Sequence, residues 1–421
     1  MEHVVEGLGA AAYDKYRILA LAVMLVILPV SAESIYAPSL PALARSFAIS
    51  EHLAEHTMTV YLLGSALGSL FWGQISDYLG RRPVVLLGYF VFLLSSFGCY
   101  TASSIELFLC FRILQGFSGA ISCMCQCINR DIFEPKDRIE ISSIIGTVVS
   151  IAPALGSLLG GGIALTGNWR LAFLVLLAVG IVFFTAIYTG LPETKKTFGS
   201  AKNPALLWSL GRVFTDANLL VHALMIGLGL GIFFAFFSEG PFYFVRKLEG
   251  SAQLVSWIIA LGALVYAGGC RLANRIIQSG TPYTRVMVMG LVVMLLAFTT
   301  FVAVVAVFEW LDMVIWSVQI MQALLAGLWL IVQLGLSFLL TPSFALALEN
   351  QAGNVGIAAS WFSFIYTMLN MLINAGMAYI HNDSLLTMPL YFLLVTITMA
   401  VFMWLSLDNK CLHAHNVAEF D

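Results

Sequence analysis

The 421-residue chain reads as an all-α membrane protein of twelve transmembrane helices. Three observations lead there. Residues are 60% hydrophobic and only 10% charged, whereas soluble domains carry about 25% charged residues. The apolar stretches are continuous rather than alternating, which excludes a transmembrane β-barrel and requires helices. At roughly 20 apolar residues per span, the length accommodates about twelve helices joined by short loops. The net charge of −3 carries no information about partners, and no basic stretch suggests nucleic acid.

The basic residues orient the spans. If the N-terminus is cytoplasmic and the spans alternate, fifteen face the cytoplasm: Lys15, Arg17, Arg81, Arg82, Arg130, Lys136, Arg138, Lys195, Lys196, Lys202, Arg212, Arg271, Arg275, Arg285 and Lys410. Arg45, Arg170, Arg246 and Lys247 fall on the opposite side, and Arg112 lies within a span. That asymmetry obeys the positive-inside rule and puts both termini in the cytoplasm. Residues 1–16 are polar and lack a short apolar core followed by a cleavage site, so the first span is expected to be retained. The seven cysteines lie mostly in spans and read as structural.

In chain order, the first span (about Arg17 to Leu40) contains Glu33, followed by Ser34, Tyr36 and Pro38. A carboxylate inside a span is costly and is a functional candidate by default. The second span opens on EHLAEH, where His52, Glu55 and His56 form an H-x-x-E-H pattern seen in zinc peptidases. Such an enzyme needs a further ligand and a soluble cleft. The sequence offers neither, so a solvated helix end is expected here, with no metal and no cofactor. Gly64 and Gly68 make a small-residue seam for close helix packing.

Between spans two and three, Gly73–Arg82 reads GQISDYLGRR, packing Asp77, Arg81 and Arg82 between Gly73 and Gly80. The charges lie outside the hydrocarbon, and the glycines allow a tight turn. Span four carries LCFRILQGFSGA, with Arg112 at its centre and Gln115, Gly116 and Gly119 following. At about 1.5 Å rise per residue, Arg112 and Glu33 fall at similar depth, close enough to pair directly or through water. Cys123 and Cys127 share a helix face while Cys125 points away, so the three cannot bind one ion. Span five has Pro153, Gly156 and glycines at 160–162, a kinked and closely packed helix.

Residues 194–216 form one long polar connection with lysines, Pro204 and Trp208. They are expected to link an N-terminal six-helix bundle (1–193) to a C-terminal one (217–409), with 410–421 a cytoplasmic tail. GGCRLANR, from Gly268 to Arg275, occupies in the second half the place of the Gly73 turn, a degraded repeat consistent with two pseudo-symmetric bundles. Span seven ends in FFSEGPFYF, where Glu239 is either a second buried carboxylate or, with Arg246 and Lys247 close by, a solvated helix end. Later spans carry Gln319, Gln322, Gln333, Asn370 and Asn374; Asn370 and Asn374 share a face.

These segments together resemble the major facilitator superfamily. Gly73–Arg82 is similar to its loop 2–3 gate motif, Leu109–Ala120 to its fourth-helix motif associated with proton coupling, and Ala152–Gly161 to its fifth-helix antiporter motif, although Ala152 stands where that motif has Gly. ESIYAPSLP resembles the acidic first-helix motif of the Bcr/CflA drug-resistance branch, where Asp is usual and Glu stands here. Asn168–Arg170, Leu191–Thr194 and the segment around Glu349 also match that branch.

The resemblance implies a proton-coupled exporter of small amphipathic compounds in a bacterial inner membrane, monomeric, with protons, substrate and lipid as its partners. Proton coupling would then involve Glu33, Arg112 and Glu239. Substrate would meet Glu33, Tyr36, Tyr61, Phe236, Gln319 and Asn370. Gly73, Asp77, Gly80, Arg81, Arg82, Pro153 and Gly156 would serve the gate. An exporter of one endogenous metabolite such as a siderophore, a proton symporter for uptake, and a membrane enzyme built on His52 and His56 are the alternatives. No nucleotide-binding G-x-x-x-x-G-K-[ST] loop is present, so ATP is not expected to drive it.

Overall fold

The structure, a computed structural model, describes residues 2–133, 135–194, 216–310, 318–347 and 355–408. The expected linker lies almost wholly outside the described residues, as do the tail and the side chain of Asp77. The described residues are nearly all helical. Fourteen α-helices run in chain order: α1 Glu2–Ser34, α2 Leu40–Phe47, α3 Glu51–Leu79, α4 Arg81–Thr101, α5 Ile105–Gly119, α6 Met124–Ile132, α7 Pro135–Ala164, α8 Arg170–Gly190, α9 Ala217–Pro241, α10 Ala252–Gln278, α11 Tyr283–Trp310, α12 Val318–Leu346, α13 Val355–Ile380 and α14 Thr387–Asp408. Short α2 continues the first span past a break, and α6 continues α5, so these helices make twelve rods among the described residues.

Local chemistry sets the rod ends. Ser50, Ser104, Asp216 and Ser251 each accept a backbone N–H three residues on, capping α3, α5, α9 and α10. Gly80 takes φ +99°, a conformation that favours glycine, and this lets α4 begin one residue after α3 ends. The first span breaks at Ile35–Tyr36, before Pro38, and resumes as α2.

Among the described residues, ten helices are long and apolar enough to cross a membrane. Neither α3 nor the whole of α7 is among them; in α7 the apolar stretch is Ile151–Ala164. The reason for α3 is its position. It packs against α5 on one side and α13 on the other, so its Gly, Ser, Thr and His residues meet protein rather than lipid. Gly64 rests on the Ile113 carbonyl and Gly116 on the Tyr61 carbonyl, which brings α3 and α5 to backbone contact.

The two halves repeat one packing scheme. In the first, α1 packs on α7, α3 on α5, and α4 on α5 and α8; in the second, α9 packs on α13, α10 on α12, and α11 on α12 and α14. Two helix pairs, α3 with α13 and α7 with α10, carry the main contact between halves. Pro153 lies inside α7, and just after it Gly156 faces the end of α1, Gly160 faces Ile35 at the first-span break, and Gly161 faces Ser256 of α10.

Candidate functional site

The first-span break and the α3–α5 contact position a buried cation. Arg112 is fully buried, its guanidinium 4.3 Å from the ring centres of both Tyr36 and Tyr61 and 5.9 Å from Phe173. Cations over aromatic faces are stabilised, more so when desolvated. Nη1 donates to Gln115 Oε1 at 2.6 Å, Gln115 Nε2 donates to Ser96 Oγ at 2.8 Å, and Nε reaches the Thr57 carbonyl at 3.5 Å. Tyr61 donates to the Pro29 carbonyl at 3.1 Å, and the Tyr36 hydroxyl meets Thr57 Oγ1 at 3.3 Å. The remaining nitrogen, Nη2, has no hydrogen-bond partner among the described residues.

Glu33, in the last turn of α1, is half-buried. It lies within electrostatic reach of Arg112, Tyr61 and Tyr366, the last from α13 in the other half. No direct ion pair joins Glu33 to Arg112 in this conformer; the aromatic rings and Gln115 hold the guanidinium instead. The site thus contains an acid, a cation with a spare donor, and tyrosines from both halves.

The other expected substrate residues divide. Asn370, on α13, is buried, its Oδ1 unpaired among the described residues. Phe236 is buried in the second half, stacked on Trp329 at 3.7 Å between ring centres. Gln319 is exposed in the first turn of α12 and stands outside this group.

At the end of the bundle that carries the Gly80 turn, Arg81 is buried. Its Nε pairs with Asp131 at 2.9 Å and its Nη1 donates to Ser76 Oγ at 2.5 Å. Glu193 accepts the backbone N–H groups of Arg81 and Arg82 at 2.9 and 3.2 Å, an anion seated at the start of α4. The sequence pattern assigns no role to Asp131 or Glu193. Gly73 approaches Ser360 of α13, so this turn borders the other half.

At the opposite end, Glu239 is fully buried rather than solvated. Lys247 donates to its Oε1 at 3.1 Å, and His381 Nδ1 lies 2.6 Å from its Oε2. Glu55, also fully buried, brings Oε1 to 2.8 Å from the same nitrogen, and Glu51 Oε2 meets His381 Nε2 at 3.3 Å. Arg246 adds a 2.6 Å ion pair to Glu51. The pairs of Glu51 and Glu55 cross from α3 to the second half, whereas those of Glu239 with Lys247 and His381 lie within it. Just below, Thr59 donates to Asn374 Oδ1 at 2.9 Å, and Asn374 Nδ2 donates to Ser238 Oγ at 3.1 Å. In sequence, Glu55 is legible only as part of a polar helix start. His52 and His56 stay half-buried and meet edge-on at 4.6 Å between ring centres.

Comparison with known proteins agrees with this architecture. The Major Facilitator Superfamily model matches residues 19–373. A protein from Rickettsia felis named an uncharacterized transporter is 27% identical over 90% of this chain and 93% of its own. A chloramphenicol resistance protein of Pseudomonas aeruginosa is 30% identical over 70% of this chain and 68% of its own. Among solved structures, a D-xylose-proton symporter superposes with a TM-score of 0.76 at 14% identity, covering 92% of this chain and 97% of that one. The paired six-helix packing and the family match together make the chain a member of the Major Facilitator Superfamily, a multi-pass membrane transporter.

Proposed function

We propose that this transporter exports small amphipathic compounds, cationic or neutral, across a bacterial inner membrane in exchange for protons. One observation carries the reading. Glu33 sits within the first span, half-buried and without a hydrogen bond or ion pair among the described residues, beside a fully buried Arg112 with one unpaired nitrogen. An intramembrane acid without a fixed partner is free to trade a proton for a ligand, whereas a locked ion pair is not. Tyr36 and Tyr61 supply aromatic faces for an organic substrate, and Asn370 Oδ1 an acceptor. The relative named for chloramphenicol resistance supports the choice of substrate class, and the fifth-helix pattern favours export.

In this reading the Gly80 end is cytoplasmic, with both termini on that side. Arg81 and Arg82 steady the cytoplasmic gate through charge-assisted hydrogen bonds to Asp131 and the Tyr188 carbonyl, a role expected also of Asp77, whose side chain lies outside the described residues. The conformer described has its extracytoplasmic end tied by the pairs of Glu51 and Glu55 with His381 and Arg246, so the substrate site would open inward. Gly73, Pro153 and Gly156 serve the helix contacts that move.

The test is substrate-induced proton release from purified protein in detergent, screened over cationic dyes, chloramphenicol-like neutral compounds and iron-free siderophores. Wild type is expected to release protons on binding a dye or neutral compound, and Glu33→Gln to bind without release. Release that survives in Glu33→Gln would move coupling elsewhere. Release with siderophores alone would make this a metabolite exporter, and binding without release in wild type would rule out antiport.

A further inference from the structure

The sequence raises a metal-binding pattern on His52 and His56, but the structure builds a different set of ligands around the residue between them. Glu55, Glu239 and His381, drawn from α3, α9 and the residue after α13, each offer one ligand atom, and these atoms lie within 4.8 Å of one another. We propose that these three atoms form a site for a divalent transition cation of the zinc class, which ties the two halves of the transporter together at this end.

Two further observations point to a ligand beyond the clustering itself. The first is Glu55. Its side chain is fully buried and its Oε1 lies in ion-pair contact with His381 Nδ1 at 2.8 Å, yet among the described residues neither oxygen has a hydrogen-bond donor of its own. The imidazole nitrogen carries at most one hydrogen, and Glu239 already takes it at 2.6 Å. A buried carboxylate left without a donor is costly, and a metal ion at the shared point would satisfy it.

The second observation is the surrounding shell. Glu51 accepts from Nε2, the far nitrogen of His381, as the orienting carboxylate of a metal-bound histidine does. Lys247 holds the far oxygen of Glu239 at 3.1 Å and is itself anchored on the Ser384 carbonyl at 3.3 Å. His381 and Glu239 therefore each keep one polar atom fixed from behind and one turned to the common point.

The chemistry of the donors narrows the ion. One imidazole and two carboxylates suit zinc and its neighbours better than soft, thiolate-seeking ions. Donors on a tetrahedral zinc stand about 3.3 Å apart. The 2.6 and 2.8 Å spacings from His381 Nδ1 would thus open by roughly half an ångström when the ion enters and displaces the proton. Because the ligands span both halves, the ion binds only the conformer in which this end is closed, and it holds that conformer by linkage. Zinc should accordingly slow transport without touching the Glu33 site.

The experiment is a zinc titration of the purified full-length protein against a fluorescent chelator, together with the visible spectrum of the cobalt-loaded wild type. One zinc per chain is expected, weakened at least tenfold by Glu55→Gln and by His381→Ala and unchanged in the His52→Ala/His56→Ala double variant. Glu51→Gln should weaken it about tenfold through the lost orienting contact. Cobalt should show the bands of a nitrogen–oxygen site with no thiolate charge-transfer band, a readout that needs no variant to fold. No stoichiometric zinc in wild type, binding that survives His381→Ala, loss in the His52/His56 double variant, or a thiolate band would each overturn the site. Metal binding is read without any transported compound, so its outcome is independent of the export reading.

Discussion

Two buried charged groups of this transporter are built on opposite plans. Arg112 is held by its own half: Tyr36 and Tyr61 flank it, and Gln115, braced on Ser96, accepts its hydrogen bond. The Glu55–Glu239–His381 cluster is held across the seam, one carboxylate from the first half and the rest from the second. The first arrangement can travel intact when the halves rock. The second must separate whenever that end opens, so its interaction energy acts on the balance between conformers rather than on folding of either half.

The largest effect should come from cutting the seam. His381→Ala takes away the imidazole that joins buried Glu55 of the first half to buried Glu239 of the second, and breaking a buried pair in this way costs about 3–5 kcal/mol. Most of that should fall on the closed end. A cysteine placed at Thr59, in a background without other cysteines, is expected to react faster with an impermeant thiol reagent in this variant. An unchanged rate would mean that the seam charges do not hold the end shut.

Arg112→Met should behave in the opposite sense. It leaves Gln115 Oε1 buried without its donor, a loss of about 1–3 kcal/mol borne by the first half alone. The melting temperature in detergent is expected to fall while the labelling rate at position 59 stays as in wild type. Arg112→Lys should recover the charge and only part of the stability, because an ammonium cannot lie flat between two rings. A labelling change in Arg112→Met would erase the distinction between the two sites.

The smallest effect belongs to the neutral bond across the same seam. Asn374→Leu removes the acceptor of Thr59 and the donor to Ser238, each worth about 1 kcal/mol net. Labelling of a cysteine at Ser238 should rise slightly, well below the His381→Ala response. A rise as large would shift the weight of closure from charge to the amide.

The contrast also accounts for what could be read from the chain. Glu33 and Arg112 announce themselves because a charge inside a long apolar run is too costly to persist without a use. Their lack of a direct pair could not be read, since it depends on the two tyrosine rings that flank the arginine. Glu55 is hidden for a different reason. In EHLAEH it sits among polar residues that resemble a wet helix start, and only the packing of α3 on α13 turns it inward. His381 is 326 residues away in sequence, a separation over which no local pattern speaks. The twelve rods follow from apolar length, with α3 the instructive exception, its polar content marking a helix that faces protein. Glu193 and Asp131 are ordinary acids in sequence and acquire meaning only from the ends of helices that they meet.

The glycines of α7 bear on how this protein can change over time. Gly160 abuts the Ile35 carbonyl, Gly156 abuts Ser31 and Ser34, and Gly161 faces Ser256 of the other half. At Gly160 the neighbour is main chain, which cannot rotate away, so alanine is excluded there as firmly as aspartate. A mutational scan scored by polarity would therefore misjudge this helix: tolerance along it should track the volume of the newcomer, and a lineage retuning the α1–α7–α10 contact would have to do so by substituting the facing residues instead.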